Sequence, residues 1–292
     1  MLICFAAPHG DLGETVVEQI KPFRIDDFCP TEINIKGKRV NSIEMSNADA
    51  IEHARKLVSN STKITALTGS GISVDSGIPD FSSEGGIWER FDPHEYATIE
   101  SFMKNPTKFW TMGRALAETI LQAKPNRAHI GLSKLESNKK LIGIITQNID
   151  NLHQAAGNKR VVELRGNYLR AYCVECNKEY VGEAVHLRVA NGEIPPRCDV
   201  CKGVLKSEAI LFGEPLPENA MREAVELCRN TDLMLVIGTS LAIYPAAYLP
   251  QLAKNEGAKI ILINLEGINR NDVADIVIRG RAIEIIPRLV EC

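Results

Sequence analysis

Four of the eight cysteines in this 292-residue chain form two matched pairs. Cys173 and Cys176 make one C-x2-C pair, and Cys198 and Cys201 make a second pair after 21 intervening residues. Each pair can present two thiolates from one tight turn, and a tetrahedral zinc ion takes four such ligands. The segment gives no sign of a histidine or carboxylate ligand in a set that would leave one coordination position open, as a catalytic zinc requires. We therefore expect a structural zinc, with four unrelated buried thiols as the alternative.

Polar side chains follow several short apolar runs along the chain. The segment TQNIDNLH at 146–153 follows one such run, and an acid in the segment INLE at 263–266 ends another. Ligands bind at the carboxyl ends of parallel strands in α/β folds, where an acid often takes ribose hydroxyls. Helix caps and ordinary turns use the same residue types and are the alternative. The residues in such positions are Gln147, Asn148, Asp150, Gly238, Thr239, Ser240, Asn264 and Glu266.

The segment TALTGSGISVDSG at 65–77 has the pattern of a strand, a glycine turn and the start of a helix. Gly69 and Gly71 would let the backbone approach a phosphate, which the N-terminus of the following helix would also attract. Gly77 comes too late for the G-x-G-x-x-G fingerprint of dinucleotide-binding folds. A tight strand-to-helix turn without a ligand is an equally good interpretation.

The segment VVELRGN at 161–167 raises a chemical question. An apolar run with one acid, Val161 to Leu164, ends at Arg165, where a ligand-binding edge is expected. Such edges usually carry groups that hydrogen-bond or titrate, but a guanidinium keeps its proton. The residue types alone leave the role of Arg165 open.

The elements that must position these groups can be predicted from the periodicity of the apolar residues. Runs that are typical of strands buried on both faces of a parallel sheet lie at 64–67, 141–146, 161–164, 233–239 and 259–264, with a weaker one at 275–280. Helical patterns lie at 47–60, 106–122, 126–138, 217–230 and 245–255. This alternation predicts an α/β fold with a doubly wound parallel sheet.

Composition and charge exclude several classes of protein. A formal charge of −3 gives no basic field that would draw the chain to nucleic acid. No apolar run approaches the roughly 20 residues that span a bilayer. The first ten residues lack the basic start of a signal peptide. Reduced thiolates in a chain without a secretion signal favour a cytoplasmic protein, with the nucleus as the second candidate.

Together these motifs resemble those of the sirtuins, which are NAD-dependent protein lysine deacylases. TGSGISVDSGIPDF resembles the family's glycine-rich cofactor loop, and TQNIDNLH resembles its nicotinamide and ribose motif. ILFGEPLP at 210–217 resembles the substrate-peptide loop, while IGTSLAIYPAA and INLE resemble the adenosine-side motifs. With the paired cysteines, the resemblance runs in the right order over roughly residues 47–290.

The resemblance implies a domain organisation. A Rossmann-like NAD-binding domain takes 46–165 and 213–292, with 78–105 as a cofactor loop and helical insertion, and a zinc-ribbon domain takes 166–212. Residues 1–45 form an N-terminal extension of unknown role.

The resemblance also implies a reaction and the residues that serve it. NAD and an acylated-lysine protein or peptide enter a cleft, the acyl oxygen attacks the ribose carbon as nicotinamide leaves, and free lysine and O-acyl-ADP-ribose result. Asn148 and Asp150 would serve catalysis. The residues implied beside NAD are Gly69, Ser70, Gly71, Ser73, Asp80, Phe81, Gln147, Asn148, Asp150, Gly238, Thr239, Ser240, Asn264 and Glu266, and those on the peptide side are Ile210, Phe212, Gly213 and Glu214.

Arg165 is a departure from the family pattern, because family members typically read ELHG where this chain reads ELRG. That histidine is the general base of deacylation, and an arginine cannot replace it. Ser82, Ser70 and Asn151 stand where arginine, alanine and glycine are usual. We therefore expect a deacylase with weak or altered activity. The alternatives are a sirtuin-fold ADP-ribosyltransferase or NAD hydrolase, and a non-catalytic NAD-binding module.

Overall fold

A six-stranded parallel sheet forms the centre of the structure, a computed structural model that describes residues 46–80, 86–265 and 271–290. Its strands are Ile64–Thr68 (β1), Leu141–Thr146 (β2), Val161–Glu163 (β3), Leu233–Ile237 (β7), Lys259–Asn264 (β8) and Ile276–Arg279 (β9), and a second sheet contains Arg170–Cys173 (β4), Glu179–Val181 (β5) and Leu205–Ser207 (β6). The order in the large sheet is β3-β2-β1-β7-β8-β9. After β1 the chain adds β2 and β3 on one side, and after β7 it adds β8 and β9 on the other side. This reversal of the strand order leaves a crevice at the carboxyl ends of β1 and β7.

Helices pack on both faces of the large sheet. The helices are Asn47–Asn60 (α1), Ile87–Arg90 (α2), Pro93–Tyr96 (α3), Ile99–Lys104 (α4), Pro106–Gln122 (α5), Arg127–Ser137 (α6), Leu152–Ala155 (α7), Gly182–Ala190 (α8), Glu218–Asn230 (α9), Leu249–Asn255 (α10) and Ala282–Val290 (α11). Ile144 of β2 belongs to a core shared with α1, α6 and α11. Its neighbour Gly143 faces Leu227 of α9, and successive strand residues point to opposite faces. The predicted doubly wound α/β fold is therefore confirmed.

The smaller sheet is antiparallel, with the order β5-β4-β6, and α8 follows β5 directly. A second core joins this module to α4 and α5 through Phe102, Phe109 and Trp110. The Trp110 indole donates a hydrogen bond to the Leu205 carbonyl at 2.8 Å. The short helices α2 to α4 lie in the stretch predicted to hold a helical insertion. In the described part of the chain, no helix is both long enough and apolar enough to cross a membrane.

Candidate functional site

A cavity of about 210 Å³ opens at the carboxyl edge of the large sheet. The residues that come after β1, β2, β3 and β7 form its polar wall, because those four strands are neighbours and end at the same edge. Helix α5 and the loop after β6 supply most of its apolar wall. The site therefore combines a few polar groups with a larger apolar surface, as small-molecule sites usually do.

The glycine turn after β1 packs directly against the turn after β7. Gly69 N donates to the Ile237 carbonyl at 3.0 Å, and Gly71 N donates to the Gly238 carbonyl at 2.9 Å. A Cβ on Gly69 would lie 2.7 Å from the Gly238 carbonyl oxygen, so a larger residue would force the two turns apart. Where the sequence predicted the start of a helix, two short 3-10 helices, Ser70–Ile72 and Val74–Ser76, come next in the chain in place of a longer regular helix. The glycine turn is therefore not followed directly by a regular helix whose aligned dipole could act on a ligand there.

A hydrogen-bonded network joins the turns after β1 and β2. The Ser73 hydroxyl donates to the Asp150 carboxylate at 2.6 Å, and the Asn148 side-chain amide donates to Ser73 Oγ and to the Gly69 carbonyl, both at 3.1 Å. Asp150 is buried, which raises its pKa, while the Ser73 hydrogen bond opposes the rise. Its other oxygen accepts from Leu152 N at 3.0 Å. Asp150 thus orders the start of α7 as well as facing the cavity.

Two buried histidines lie away from the cavity wall. His153 Nε2 is 2.9 Å from the Thr68 hydroxyl, which in turn lies 2.9 Å from the Thr146 hydroxyl. The His153 ring centroid is 4.9 Å from that of His129 on α6. Burial lowers the pKa of His129 to about 4 and holds that of His153 well below its usual value. Both imidazoles are therefore neutral near pH 7.

Arg165 lies on the cavity wall at the end of β3. Its guanidinium carbon is 5.0 Å from the centroid of the Phe212 ring, and its carbonyl accepts from Ile210 N at 2.9 Å. Gly166 is next, in the left-handed region at φ 69°, pressed against the Glu208 carbonyl. Burial lowers the pKa of Arg165, but a guanidinium keeps its proton at physiological pH.

The loop after β6 is held by a buried ion pair. Lys206 Nζ lies 3.0 Å from the Glu214 carboxylate and donates to the Ala209 carbonyl at 3.0 Å. Glu214 also accepts from Leu211 N at 2.6 Å. Phe212 pairs with the segment just before α4, since Phe212 N donates to Ala97 O at 2.8 Å. These contacts fix the loop beside Arg165.

The four paired cysteines meet in space. Their Sγ atoms all lie within 4.8 Å of one another. The Cys173–Cys201 and Cys176–Cys198 sulfur distances are 3.3 and 3.7 Å. Tetrahedral zinc at about 2.3 Å from each sulfur requires sulfur separations of about 3.8 Å. The cluster is therefore consistent with the predicted structural zinc.

Comparison with known proteins assigns a family. A model described as the Sir2 family matches residues 69–245. NAD-dependent protein deacylase 2 of Pyrobaculum aerophilum is 44% identical over 235 residues, which cover 80% of this chain and 92% of that protein. The chain belongs to the Sir2 family, the sirtuins. The predicted NAD-dependent deacylase class of this sirtuin is thereby confirmed.

Solved sirtuin structures agree with the fold. A structure described as Sir2 with a p53 peptide and NAD+ has a TM-score of 0.75 and 38% identity, covering 82% of this sirtuin and 97% of that chain. Another, described as Sir2Af2 bound to a myristoylated histone peptide, has a TM-score of 0.72 and 35% identity, covering 84% of this sirtuin and 96% of that chain.

The structure brings most of the predicted site residues of this sirtuin together. On the cofactor side, those that line the cavity are Gly69, Ser70, Ser73, Gln147, Asn148, Asp150, Gly238, Thr239 and Ser240. Gly71, Asp80 and Asn264 do not line it, and Phe81 and Glu266 fall outside the described residues, as do Ser82 and residues 1–45. Of the predicted peptide-side residues, Ile210 and Phe212 line the cavity, whereas Gly213 and Glu214 do not.

Sequence reasoning missed the apolar wall of the sirtuin cavity. Met112, Gly113 and Leu116 of α5 line it, together with Trp88 and Tyr168. The α5 residues have the helical spacing of any buried helix face, so the sequence carried no sign that part of this face borders a cavity. The two aromatic residues come from segments with no periodicity.

Proposed function

We propose that this sirtuin is an NAD-dependent protein lysine deacylase whose activity is weak or altered because Arg165 stands at the position of the general-base histidine. The observation that carries the proposal is the makeup of the cavity wall. Arg165 belongs to it, and no histidine does among the described residues. His94 is exposed on α3, and His153 is buried. Loss of a positioned base typically lowers a rate about 10²–10⁴-fold.

The polar wall supports binding of NAD along the strand ends. The network of Ser73, Asn148 and Asp150 fixes an amide and a carboxylate group at the cavity, and the Gln147 side chain donates to Thr239 Oγ1 at 2.9 Å. When bound, NAD supplies the ribose carbon that takes the acyl group, with nicotinamide as the leaving group. We assign Asn148 and Asp150 to orienting that end of NAD.

The apolar wall supports an acylated lysine as the second substrate. Met112, Leu116 and Phe212 offer a surface for the methylenes of a lysine and its acyl group. Solved relatives described with p53 and histone peptides make a protein segment the natural carrier of that lysine.

A second function is favoured by the same network. The Ser73–Asp150 contact is complete although the base position holds Arg165, so groups suited to breaking the nicotinamide bond remain ordered. ADP-ribosyl transfer or NAD hydrolysis would need those groups without the base. A module that binds NAD without turnover is the third alternative.

Incubation of the protein with NAD and an acetylated peptide, followed by mass spectrometry, separates these functions. Slow formation of deacetylated peptide and O-acetyl-ADP-ribose is the result that we expect. ADP-ribose, free or protein-linked, without deacetylation would favour the second function. Binding of NAD without turnover would favour the third, and deacetylation at a rate ordinary for a sirtuin would contradict the proposed role of Arg165.

A further inference from the structure

Asn151 lies in a backbone conformation that residues with a side chain rarely adopt. Its φ is 63° and its ψ is 12°, in the left-handed region. Asparagine tolerates this region better than most residues, but only glycine enters it without strain. Glycine is usual at this position in sirtuins, so this chain carries a strain that a glycine would avoid. Contacts from outside the turn can offset that strain.

The strained turn determines where the Asp150 carboxylate points. One carboxylate oxygen accepts from Leu152 N at 3.0 Å, so this hydrogen bond spans Asn151. The other oxygen accepts from the Ser73 hydroxyl at 2.6 Å. If Asn151 left the left-handed region, Leu152 N would turn away, and Asp150 would lose one of the contacts that orient it.

Asn167, in the segment after β3, supplies a contact that holds the turn, and it is only 1% exposed. Its side-chain amide donates to the Asn151 side-chain oxygen at 3.1 Å and to the Glu163 carboxylate at 2.5 Å. Its own side-chain oxygen accepts from Leu169 N at 2.8 Å. A carboxylate takes only donors and a backbone N–H takes only an acceptor, so the Asn167 amide has one orientation, with its nitrogen towards Asn151.

The segment after β3 also holds the loop after β2 on either side of the strained residue. Tyr168 N donates to the Ile149 carbonyl at 2.9 Å. The Glu163 carboxylate accepts from the Gln154 side chain on α7 at 2.7 Å. The two segments are therefore joined before, at and after Asn151. Of these contacts, the one from Asn167 reaches the strained residue itself.

We propose that Asn167 is a positioning residue for Asp150, on which it acts by holding Asn151 in the left-handed region. This inference rests on the proposed function, in which Asp150 orients the reacting end of NAD. One neutral hydrogen bond and the strain of one left-handed residue are similar in size, so loss of the bond is enough to loosen the turn. A bond of this kind corresponds to about a 3- to 10-fold change in affinity.

Amide hydrogen exchange of the full chain without NAD, measured by NMR, tests the link to the turn. Asn167→Ala should speed exchange at Leu152 N about 3- to 10-fold, because the hydrogen bond of this amide depends on the turn. Asn151→Ala removes the acceptor of the Asn167 amide but keeps a Cβ. It should have the same effect, and it replaces Asn167→Ala if that variant does not fold. Gln154→Ala removes a different partner of Glu163 and should leave exchange at Leu152 N within about twofold of the parent.

Two binding measurements distinguish positioning from a general loss of structure. Asn167→Ala should weaken NAD about 3- to 10-fold by calorimetry and leave the affinity for an acetylated peptide, measured by fluorescence anisotropy, unchanged. Asn151→Gly relieves the strain at its source, since a glycine needs no hydrogen bond to hold a positive φ. Adding Asn167→Ala to Asn151→Gly should therefore change the NAD affinity less than about twofold.

Unchanged exchange at Leu152 N in both Asn167→Ala and Asn151→Ala would overturn the proposal. Equal weakening of NAD and peptide by Asn167→Ala would also overturn it. So would equal losses of NAD affinity when Asn167→Ala is made in the parent and in Asn151→Gly, because the effect would then not pass through the turn. Failure of the proposed function looks different. A parent that binds no NAD contradicts that function, while exchange at Leu152 N still reports whether Asn167 holds the turn.

Discussion

At the scale of single residues, Arg165 is held at the cavity by its main chain. The left-handed Gly166 packs against the Glu208 carbonyl, and the Arg165 carbonyl accepts from Ile210 N. These contacts fix the backbone at Arg165, so a backbone shift cannot move the Arg165 side chain away from the cavity. We expect Arg165→His to raise deacetylation above the parent, because an imidazole can take the ribose proton. The rate should rise with pH through the histidine pKa, near 6.5 when unperturbed. Steady-state assays across that pH range measure both effects.

Arg165→Ala is the matched control, since it removes the cation without supplying a base. Its deacetylation rate should stay at least about tenfold below that of Arg165→His. An ordinary rate in the parent that is unchanged in Arg165→Ala would mean that another group is the base.

At the scale of elements, the buried Lys206–Glu214 pair fixes the loop after β6. Lys206→Met should cost about 3–5 kcal/mol of unfolding free energy, because it leaves the Glu214 carboxylate unpaired. Adding Glu214→Gln should recover part of that loss. Lys104→Met removes an exposed ion pair with Glu100 and should cost less than about 1 kcal/mol. Urea unfolding measures all three, and equal losses in Lys206→Met and Lys104→Met would contradict the anchoring role.

The histidine pair between α6 and α7 makes stability depend on pH. Folding lowers the pKa of His129 from 6.5 to about 4, so the folded state binds fewer protons than the unfolded state between these values. The histidine contribution to the free energy of unfolding is therefore fully present above pH 6.5 and is lost as the pH falls towards 4. The loss is up to about 1.4 kcal/mol per pH unit for each histidine. His129→Gln keeps an acceptor for Asn126 N and should flatten the slope, whereas the exposed His94→Gln should not. Identical slopes in the parent and His129→Gln would refute the assignment.

The elements also show how far the sequence could predict the fold and the site. Strand β7 is a continuous apolar run and β1 is mostly apolar, and both are buried on both faces, so their positions and parallel arrangement could be predicted from composition and spacing. Helices of four to six residues, such as α2 and α4, span too few turns for periodicity to reveal them. The glycine turn was placed correctly, but the 3-10 turns beside it depend on packing against Gly238, and local sequence does not record that contact. The contact of the Arg165 guanidinium with the Phe212 ring likewise joins residues that are distant in sequence.

At the scale of the whole molecule, the cysteine module is coupled to the cavity. The His186 ring of α8 stacks on Tyr168, with centroids 3.8 Å apart, and Tyr168 lines the cavity. Trp110 of α5 donates to the Leu205 carbonyl in β6. Two of the predicted zinc ligands, Cys173 and Cys198, belong to the same apolar core as Trp110 and Tyr168. The four-cysteine cluster and one wall of the cavity therefore share one set of packed side chains.

We accordingly expect loss of zinc to disturb acyl-peptide binding as well as the module itself. A module of fewer than about 50 residues has little apolar core of its own, so the metal should supply much of its folding free energy. Cys173→Ser should release zinc, expose β4 to β6 to protease and weaken binding of an acylated peptide by about tenfold or more. Cys228→Ser changes a buried thiol of α9 outside the cluster and should retain zinc and peptide binding. Elemental analysis, limited proteolysis and anisotropy measure the three effects. Parent protein that contains no zinc when purified without chelator would refute the metal assignment, while zinc loss with unchanged peptide affinity would refute the coupling.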